Sequence, residues 1–314
     1  MRVLFWGTPD FAVPTLRALL GEGHDVVGVV TQPDRPAGRG RGLRPSPVKV
    51  AAADEMLPLL QPEQARGPDF LAALRSLEPE ISVVVAYGQI LRREVLDVPE
   101  RGSINVHASL LPALRGAAPI NWAIKLGHTR TGVTVMRMVE RMDAGPILHQ
   151  VEEPILTAET AMDLWSRLSE LGAAALIEAL MLLDLGAIEE REQDESAATY
   201  APRLTRDSVH VDWHENAIQV ARHIRAMDAI PGAWTYHRHA ELKVFRPEPQ
   251  PDFQHDAAPG TVLHVAGSDT AEGMRVACGT GAVLVREVKP EGKRRMTTSE
   301  WVRGRGIEAG DLLN

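Results

Sequence analysis

The chain has one cysteine, Cys278, in 314 residues. That excludes an intrachain disulfide and any metal site built on several thiolates, and a lone thiol fits a reducing compartment. Aromatic residues make up only 4%. Long apolar runs are also missing, and no stretch approaches the roughly 18 residues that a membrane span needs. The opening MRVLFWG carries one cation and a short apolar run, too little for the apolar core of a secretion signal. A positive balance is absent as well: 34 Lys+Arg against 42 Asp+Glu leave a net charge of −8. No overall basic field therefore advertises nucleic acid or an anionic membrane. The expectation is a soluble, cytoplasmic protein.

What is present fills a core. At 44% hydrophobic the chain is globular, and at about 150 residues per domain its length suggests two domains. Its basic character is local. Arg35 to Lys49 holds five cations and no acid, and Arg286 to Arg305 holds seven cations against Glu287, Glu291 and Glu300.

Short apolar runs alternate with helical patterns in the N-terminal half. Arg2–Trp6 ends in Gly7-Thr8-Pro9-Asp10, and Thr8 or Asp10 is placed to cap a helix over Phe11–Leu20. Strands are expected at Val26–Thr31, near Leu59, at Ile81–Tyr87 and at Ser103–His107, with helices at about Val48–Met56 and Phe70–Leu77. Such alternation predicts right-handed βαβ units and a mostly parallel sheet. Thr131–Met138 and Ile147–Val151 extend it as a hairpin across Asp143-Ala144-Gly145-Pro146, and Ala161–Leu185 reads as a long helix. Glu189–Ala198 is acidic and polar, the composition of a linker. After a helix at Ala217–Met227 the rhythm changes to short strands punctuated by Gly and Pro about every ten residues, the pattern of a small barrel or sandwich. The expected fold is α/β, an open, mostly parallel sheet at 1–188, a linker at 189–207 and a small barrel or sandwich at 208–314.

Gly7-Thr8-Pro9-Asp10 occupies the place of a dinucleotide fingerprint but is not G-x-G-x-x-G, and Pro9 removes an amide that a phosphate would need. NAD and FAD are therefore not expected. Ser103-Ile104-Asn105-Val106-His107 carries more chemistry. Residues two apart on a strand share a face, so Asn105 and His107 project together near the carboxyl end of a sheet strand. They could equally be a hydrogen-bonded structural pair. As a site, Asn105 offers a neutral donor for a developing oxyanion, and His107 can donate or move a proton near pH 7. Asp143 could be only a turn former or the carboxylate that completes the set. The loop from Pro33 to Arg44 reads as solvated surface or as an Arg/Gly segment for a phosphate backbone. Lys289 to Arg295 is open to the same two readings.

Taken together these segments resemble the methionyl-tRNA formyltransferases of the folate-dependent formyltransferase family, over nearly the whole chain. The resemblance rests on Asn105, His107, the stretch SLLPALRGAAP at 109–119 and Asp143 in MDAGP. More particular to that branch are GTPDFAVP at 7–14, TQPDRPAGRGRGLRPSPVK at 31–49, and Gly292-Lys293-Arg294-Arg295-Met296 in the tail. Trp6 departs from the usual small residue and would reshape the pocket floor, and PALRG replaces the commoner PxWRG.

The resemblance implies a Rossmann-like catalytic domain at 1–188 and an OB-like C-terminal β-barrel at 208–314. It implies transfer of a formyl group from 10-formyltetrahydrofolate, a co-substrate, to the α-amine of methionine on initiator tRNA, by a monomer with neither metal nor NAD. It implies catalysis by Asn105, His107 and Asp143, and folate contacts from Ser109, Leu110, Leu111, Pro112, Tyr87 and Gly88. It further implies tRNA contacts from Arg39, Arg41, Arg44 and Lys49 on the loop and from Lys289, Lys293, Arg294 and Arg295 in the tail. Three rivals explain less. A formyltransferase for a small-molecule amine has no use for the arginine loop or barrel, and neither does a formyltetrahydrofolate hydrolase. A non-catalytic RNA-binding module leaves Asn105, His107 and Asp143 without a purpose.

Overall fold

The computed structural model describes residues 1–37, 42–265 and 273–314. In chain order its strands and helices begin with β1 (Arg2–Gly7), α1 (Val13–Gly21) and β2 (Asp25–Val30). Next come β3 (Arg35–Ala37), β4 (Gly42–Arg44), α2 (Pro47–Asp54), β5 (Leu59–Leu60), α3 (Pro68–Ser76), β6 (Ile81–Val85) and α4 (Arg93–Leu96). These lead to β7 (Ser103–His107), α5 (Pro119–Leu126), β8 (Arg130–Arg137), β9 (Ile147–Pro154) and α6 (Ala161–Asp184). The last third holds α7 (Ala217–Met227), β10 (Trp234–His237), β11 (Ala240–Gln250) and β12 (Val262–Val265). It closes with β13 (Met274–Ala277), β14 (Ala282–Pro290), β15 (Met296–Thr297) and α8 (Thr298–Arg303).

Two compact units divide the chain. The first comprises residues 1–119, 130–154 and 165–202. It is built on a seven-stranded sheet of order β5-β2-β1-β6-β7-β8-β9. The first five strands of that row are parallel, whereas β8 runs antiparallel to both of its neighbours, β7 and β9. From β1 the chain winds outward to β2 and β5, then returns to β6 on the other side. The carboxyl ends of β1 and β6 thus flank a topological switch point, where open α/β sheets leave a crevice. Continuous apolar runs account for the central strands: β1 and β6 are buried almost throughout, as strands covered on both faces must be.

Trp6 belongs to this core. Its ring is fully buried, meets Tyr87 and Phe70 edge to face at 5.1 and 6.0 Å, and donates its Nε1 hydrogen to Ser82 Oγ at 3.2 Å. Thr8 and Asp10 do not cap α1. Thr8 instead turns its hydroxyl to the Tyr87 carbonyl at 2.9 Å, tying the ends of β1 and β6 together.

The second unit comprises residues 120–129, 155–164 and 203–314. Its strands form an antiparallel sheet of order β10-β11-β14-β13-β12, with β15 added on β14. The sheet curls, because Leu313 bridges His237 at one edge while Leu312 bridges Thr261 at the other.

Residues 189–202, read as linker, belong to the first unit: Arg191 bridges Ile147, and Tyr200 bridges Arg115. Their acidic side chains stay exposed, while Gln193 and Ala201 turn inward. Residues 120–129 and 155–164, read as catalytic domain, group with the second unit. Asn121 Nδ2 donates to Ala226 O at 2.7 Å, and the Arg225 guanidinium to Glu159 O at 2.9 Å.

Candidate active site

Asn105 and His107 lie at the carboxyl end of β7, beside the switch point. The Asn105 amide donates one hydrogen to the Val84 carbonyl of β6 at 3.0 Å. That bond fixes the side chain and leaves its second N–H unspent. His107 is buried, and its Nε2 lies 3.0 Å from Leu114 O. A carbonyl only accepts, so Nε2 carries the hydrogen and Nδ1 is the chemically free nitrogen.

Asp143 faces that nitrogen. Its Oδ2 lies 3.8 Å from His107 Nδ1, in contact but beyond hydrogen-bond length. The same oxygen accepts from the Gly116 amide at 2.7 Å. Asp143 adopts φ +52°, and Gly145 after it is indispensable, since a Cβ there would overlap the Arg137 carbonyl oxygen. Gly116 sits at φ +123° with Ala201 O only 2.6 Å from where a Cβ would stand. The structure therefore brings Asn105, His107 and Asp143 to one end of the sheet.

Several residues that sequence reasoning passed over hold this geometry. Thr134 Oγ1 donates to Ser109 O at 2.6 Å and accepts from the Leu111 amide at 3.1 Å, and Gln150 Nε2 donates to Leu111 O at 2.8 Å. Arg115, 1% exposed, donates to Gln193 and to Glu195. Hydrogen bonds from Arg115 and Arg141 pull the Glu195 carboxyl down to about 2. A buried arginine demands such partners, but nothing in the acidic run named Gln193 or Glu195 as the ones.

The expected folate residues divide. Ser109 and Leu111 are buried, Leu110 and Pro112 half-buried and Gly88 exposed. The Tyr87 ring is core rather than lining: it is 2% exposed, and burial pushes its phenol up to about 12. Its backbone carbonyl is what faces the switch point, where Thr8 and Gln32 bond it.

The basic residues divide likewise. Arg39 and Arg41 lie outside the described residues. Arg44 is exposed on the short hairpin that pairs Arg35 with Arg44, so part of the expected loop is regular structure. Lys49 is committed, with its ammonium 2.7 Å from Asp34 Oδ2, while Gln61 holds the other Asp34 oxygen at 2.9 Å. In the second unit Lys289, Lys293 and Arg294 are exposed, Arg294 also pairing with Glu300. Arg295 departs from expectation. It lies over the Phe245 ring at 4.0 Å and is paired with Asp228 at 2.7 Å and Glu287 at 2.6 Å, so each of its three nitrogens already gives a hydrogen to a carboxylate inside the unit. Lys243, not singled out from sequence, stands directly opposite Lys289 in the β11–β14 register. Among the described residues no cluster of three or more His, Cys, Asp or Glu is arranged to hold a metal, and no helix is long and apolar enough to cross a membrane.

An amide, an imidazole and a carboxylate gathered at the end of an α/β sheet form a set that can stabilise an oxyanion and move a proton, the chemistry of a group-transfer enzyme. Comparison with known proteins makes it specific. Residues 1–180 match the Formyl transferase family, and residues 203–306 match its C-terminal domain. Methionyl-tRNA formyltransferase of Geobacter sulfurreducens is 43% identical over 313 residues, covering 100% of this chain and 96% of that protein. The methionyl-tRNA formyltransferase of Symbiobacterium thermophilum is 45% identical, covering 99% and 94%. Among solved structures, an N-formyltransferase from Helicobacter canadensis in complex with folinic acid and dTDP-3-aminofucose superposes with a TM-score of 0.68 at 15% identity, covering 94% of this chain and 100% of that one. HypX from Aquifex aeolicus in complex with tetrahydrofolic acid reaches 0.64 at 18% identity, covering all of this chain and 50% of that one. The chain belongs to the formyl transferase family, and its full-length relatives place it among the methionyl-tRNA formyltransferases.

Proposed function

We propose that this enzyme transfers the formyl group of 10-formyltetrahydrofolate to the α-amino group of methionine esterified to initiator tRNA. The observation that carries the reading is the meeting of Asn105, His107 and Asp143 at the end of β7, in a chain that aligns end to end with methionyl-tRNA formyltransferases.

An α-amine titrates near ~7.7–8.0 when free, and the adjacent ester lowers it further, so the nucleophile needs little activation. Its lone pair attacks the formyl carbon, and the carbonyl oxygen becomes an oxyanion. The unspent N–H of Asn105 donates to that oxygen. The new ammonium must then lose one proton while the departing folate nitrogen gains one. His107 Nδ1 and Asp143 Oδ2 are suited to this exchange. A group about 2.9 Å from each forms the apex of a triangle on their 3.8 Å separation, so the amine or a water can bond both at once. Ser109 to Pro112 and the Tyr87–Gly88 backbone flank the folate. Arg39, Arg41 and Arg44 meet the acceptor end of the tRNA, and Lys289, Lys293 and Arg294 meet its sugar–phosphate face. Asp34 and Glu287 hold Lys49 and Arg295 back from direct roles.

The first test is formyl transfer to initiator Met-tRNA, elongator Met-tRNA and glycinamide ribonucleotide. A strong preference for the initiator is expected. Transfer to the small molecule alone would overturn the tRNA assignment, and release of formate without transfer would indicate a hydrolase. Asn105→Ala should lower kcat by about 10²–10³ with folate affinity little changed, the usual cost of one oxyanion donor. A loss of tenfold or less would remove Asn105 from that role.

A further inference from the structure

We propose that Gln193 is a positioning residue for the transfer step, and that residues 193–201 form a strap that sets the separation of His107 from Asp143. The proposal rests on the formyl-transfer role given above to those two side chains.

Gln193 is 8% exposed and spends its whole amide. Its Nε2 donates to Asp143 O and to Gly145 O, both at 2.8 Å. Its Oε1 accepts from Arg115 Nε at 3.0 Å and Nη2 at 2.7 Å. The two carbonyls bracket the turn in which Asp143 holds its left-handed backbone conformation, one that Asp adopts more readily than most residues but that the surrounding bonds still have to fix. Of the 20 side chains, one with an amide group offers both the paired donors and the acceptor that this position requires.

The same segment grips the other half of the pair. Thr199 Oγ1 accepts from the Leu114 amide at 2.9 Å, and Leu114 O is the group that holds His107 Nε2. Thr199 O accepts from the Arg115 amide at 2.9 Å, while Ala201 O accepts from the Ala118 amide at 3.2 Å. Between these lies Gly116, whose N–H fixes the Asp143 carboxylate. One segment, with a single 3-10 turn at Glu195–Ala197, therefore anchors the turn behind Asp143, the amide in front of it and the carbonyl that orients His107. Those anchors add to the sheet, in which β7 carries His107 and pairs with β8, while Asp143 stands in the β8–β9 connection. The 114–116 loop joins the pair directly, through Leu114 O to His107 and the Gly116 amide to Asp143, and the strap fixes that loop in place.

The test is a double-mutant cycle read in kcat, on the full-length enzyme once wild-type transfer to Met-tRNA has been measured. Absence of that transfer would count against the functional reading and not against the strap. Gln193→Ala should lower kcat about 10- to 100-fold, the scale of a displacement near 1 Å in a reacting group, with KM for folate and tRNA changed by less than about threefold. In an Asp143→Ala background the same substitution should cost less than about threefold, since the group it positions is gone. A purely structural Gln193 would instead multiply through unchanged in both backgrounds, and that result would overturn the proposal. Gln193→Glu, nearly isosteric, is the second arm. It preserves packing and the acceptor for Arg115 but turns a lone pair on two carbonyls, so its kcat should fall at least as far as that of Gln193→Ala. Retained kcat in Gln193→Glu would likewise sink the idea. Thr199→Val supplies the measurement if neither Gln193 variant folds: it should reduce kcat and leave both KM values in place.

Discussion

The amide of Asn105 and the imidazole of His107 have the same problem at the scale of a single residue. Each must be held firmly yet keep one polar atom free for the reaction. Both solve it by giving one hydrogen to a main-chain carbonyl, Val84 O and Leu114 O. Asn105→Asp would test this economy, because a carboxylate facing Val84 O and a developing oxyanion repels both. Its kcat should fall below that of Asn105→Ala, measured under the same saturating substrates. A second histidine carries a stability prediction. His223 on α7 is buried against the Val209 carbonyl, and burial, aided by the Lys125 ammonium, lowers it to about 4. The folded state keeps this ring neutral where the unfolded chain protonates near 6.5, so its contribution is intact above pH ~6.5 and is lost as pH falls toward 4. By pH 5 the loss should reach about 2 kcal/mol. His223→Gln keeps a donor for Val209 O and has no such titration. Thermal unfolding at pH 7 and pH 5 should therefore show the wild type losing more stability than the variant, by that amount.

Elements that could be read from the sequence are those whose signal is local. β1, β2, β6 and β7 are apolar runs bounded by Gly, Pro or Asp, and α7 begins at Asn216 with Gln219 completing a reciprocal cap. The Asn105–His107 pair was legible because two residues apart on a strand share a face. Residues 189–202 were not, because their contribution lies in main-chain bonds and in Gln193, hidden among exposed acids. α8 was missed although Thr297 and Glu300 form a capping box that the sequence displays. The hairpin of β3 and β4 shows how composition can mislead about single residues. The cations from Arg35 to Lys49 look equivalent in the sequence, yet Lys49, on α2 after the hairpin, is bound to Asp34 while Arg44 is exposed. Arg44→Ala and Arg39→Ala should raise KM for tRNA and flatten its salt dependence. Asp34→Asn separates two roles for Lys49: if the pair braces the hairpin, KM rises as in Lys49→Ala, whereas a Lys49 that reaches phosphate would bind tRNA more tightly once released.

For the whole molecule, a net charge of −8 and binding to a polyanion are compatible only if the contacts are few and local. The slope of log K against log salt counts them, at roughly 0.9 per neutralised phosphate on a duplex. Removing Lys289, Lys293 or Arg294 should each reduce the slope by about 1 and leave thermal unfolding unchanged. Arg295 should do the opposite. Lying over Phe245 and ion-paired with buried Asp228 and with Glu287, it braces β15 against α7 and β14. Arg295→Ala strands the Asp228 carboxylate, and an uncompensated buried charge typically costs about 3–5 kcal/mol. The expected outcome is a clear fall in unfolding temperature with an unaltered salt slope, measured by titrating tRNA at several salt concentrations below the melting point of the variant. A reduced slope at normal stability would return Arg295 to the nucleic-acid face. It would also mean that Asp228 exchanges its partner for a phosphate when tRNA arrives, an exchange that the buried position of that carboxylate argues against.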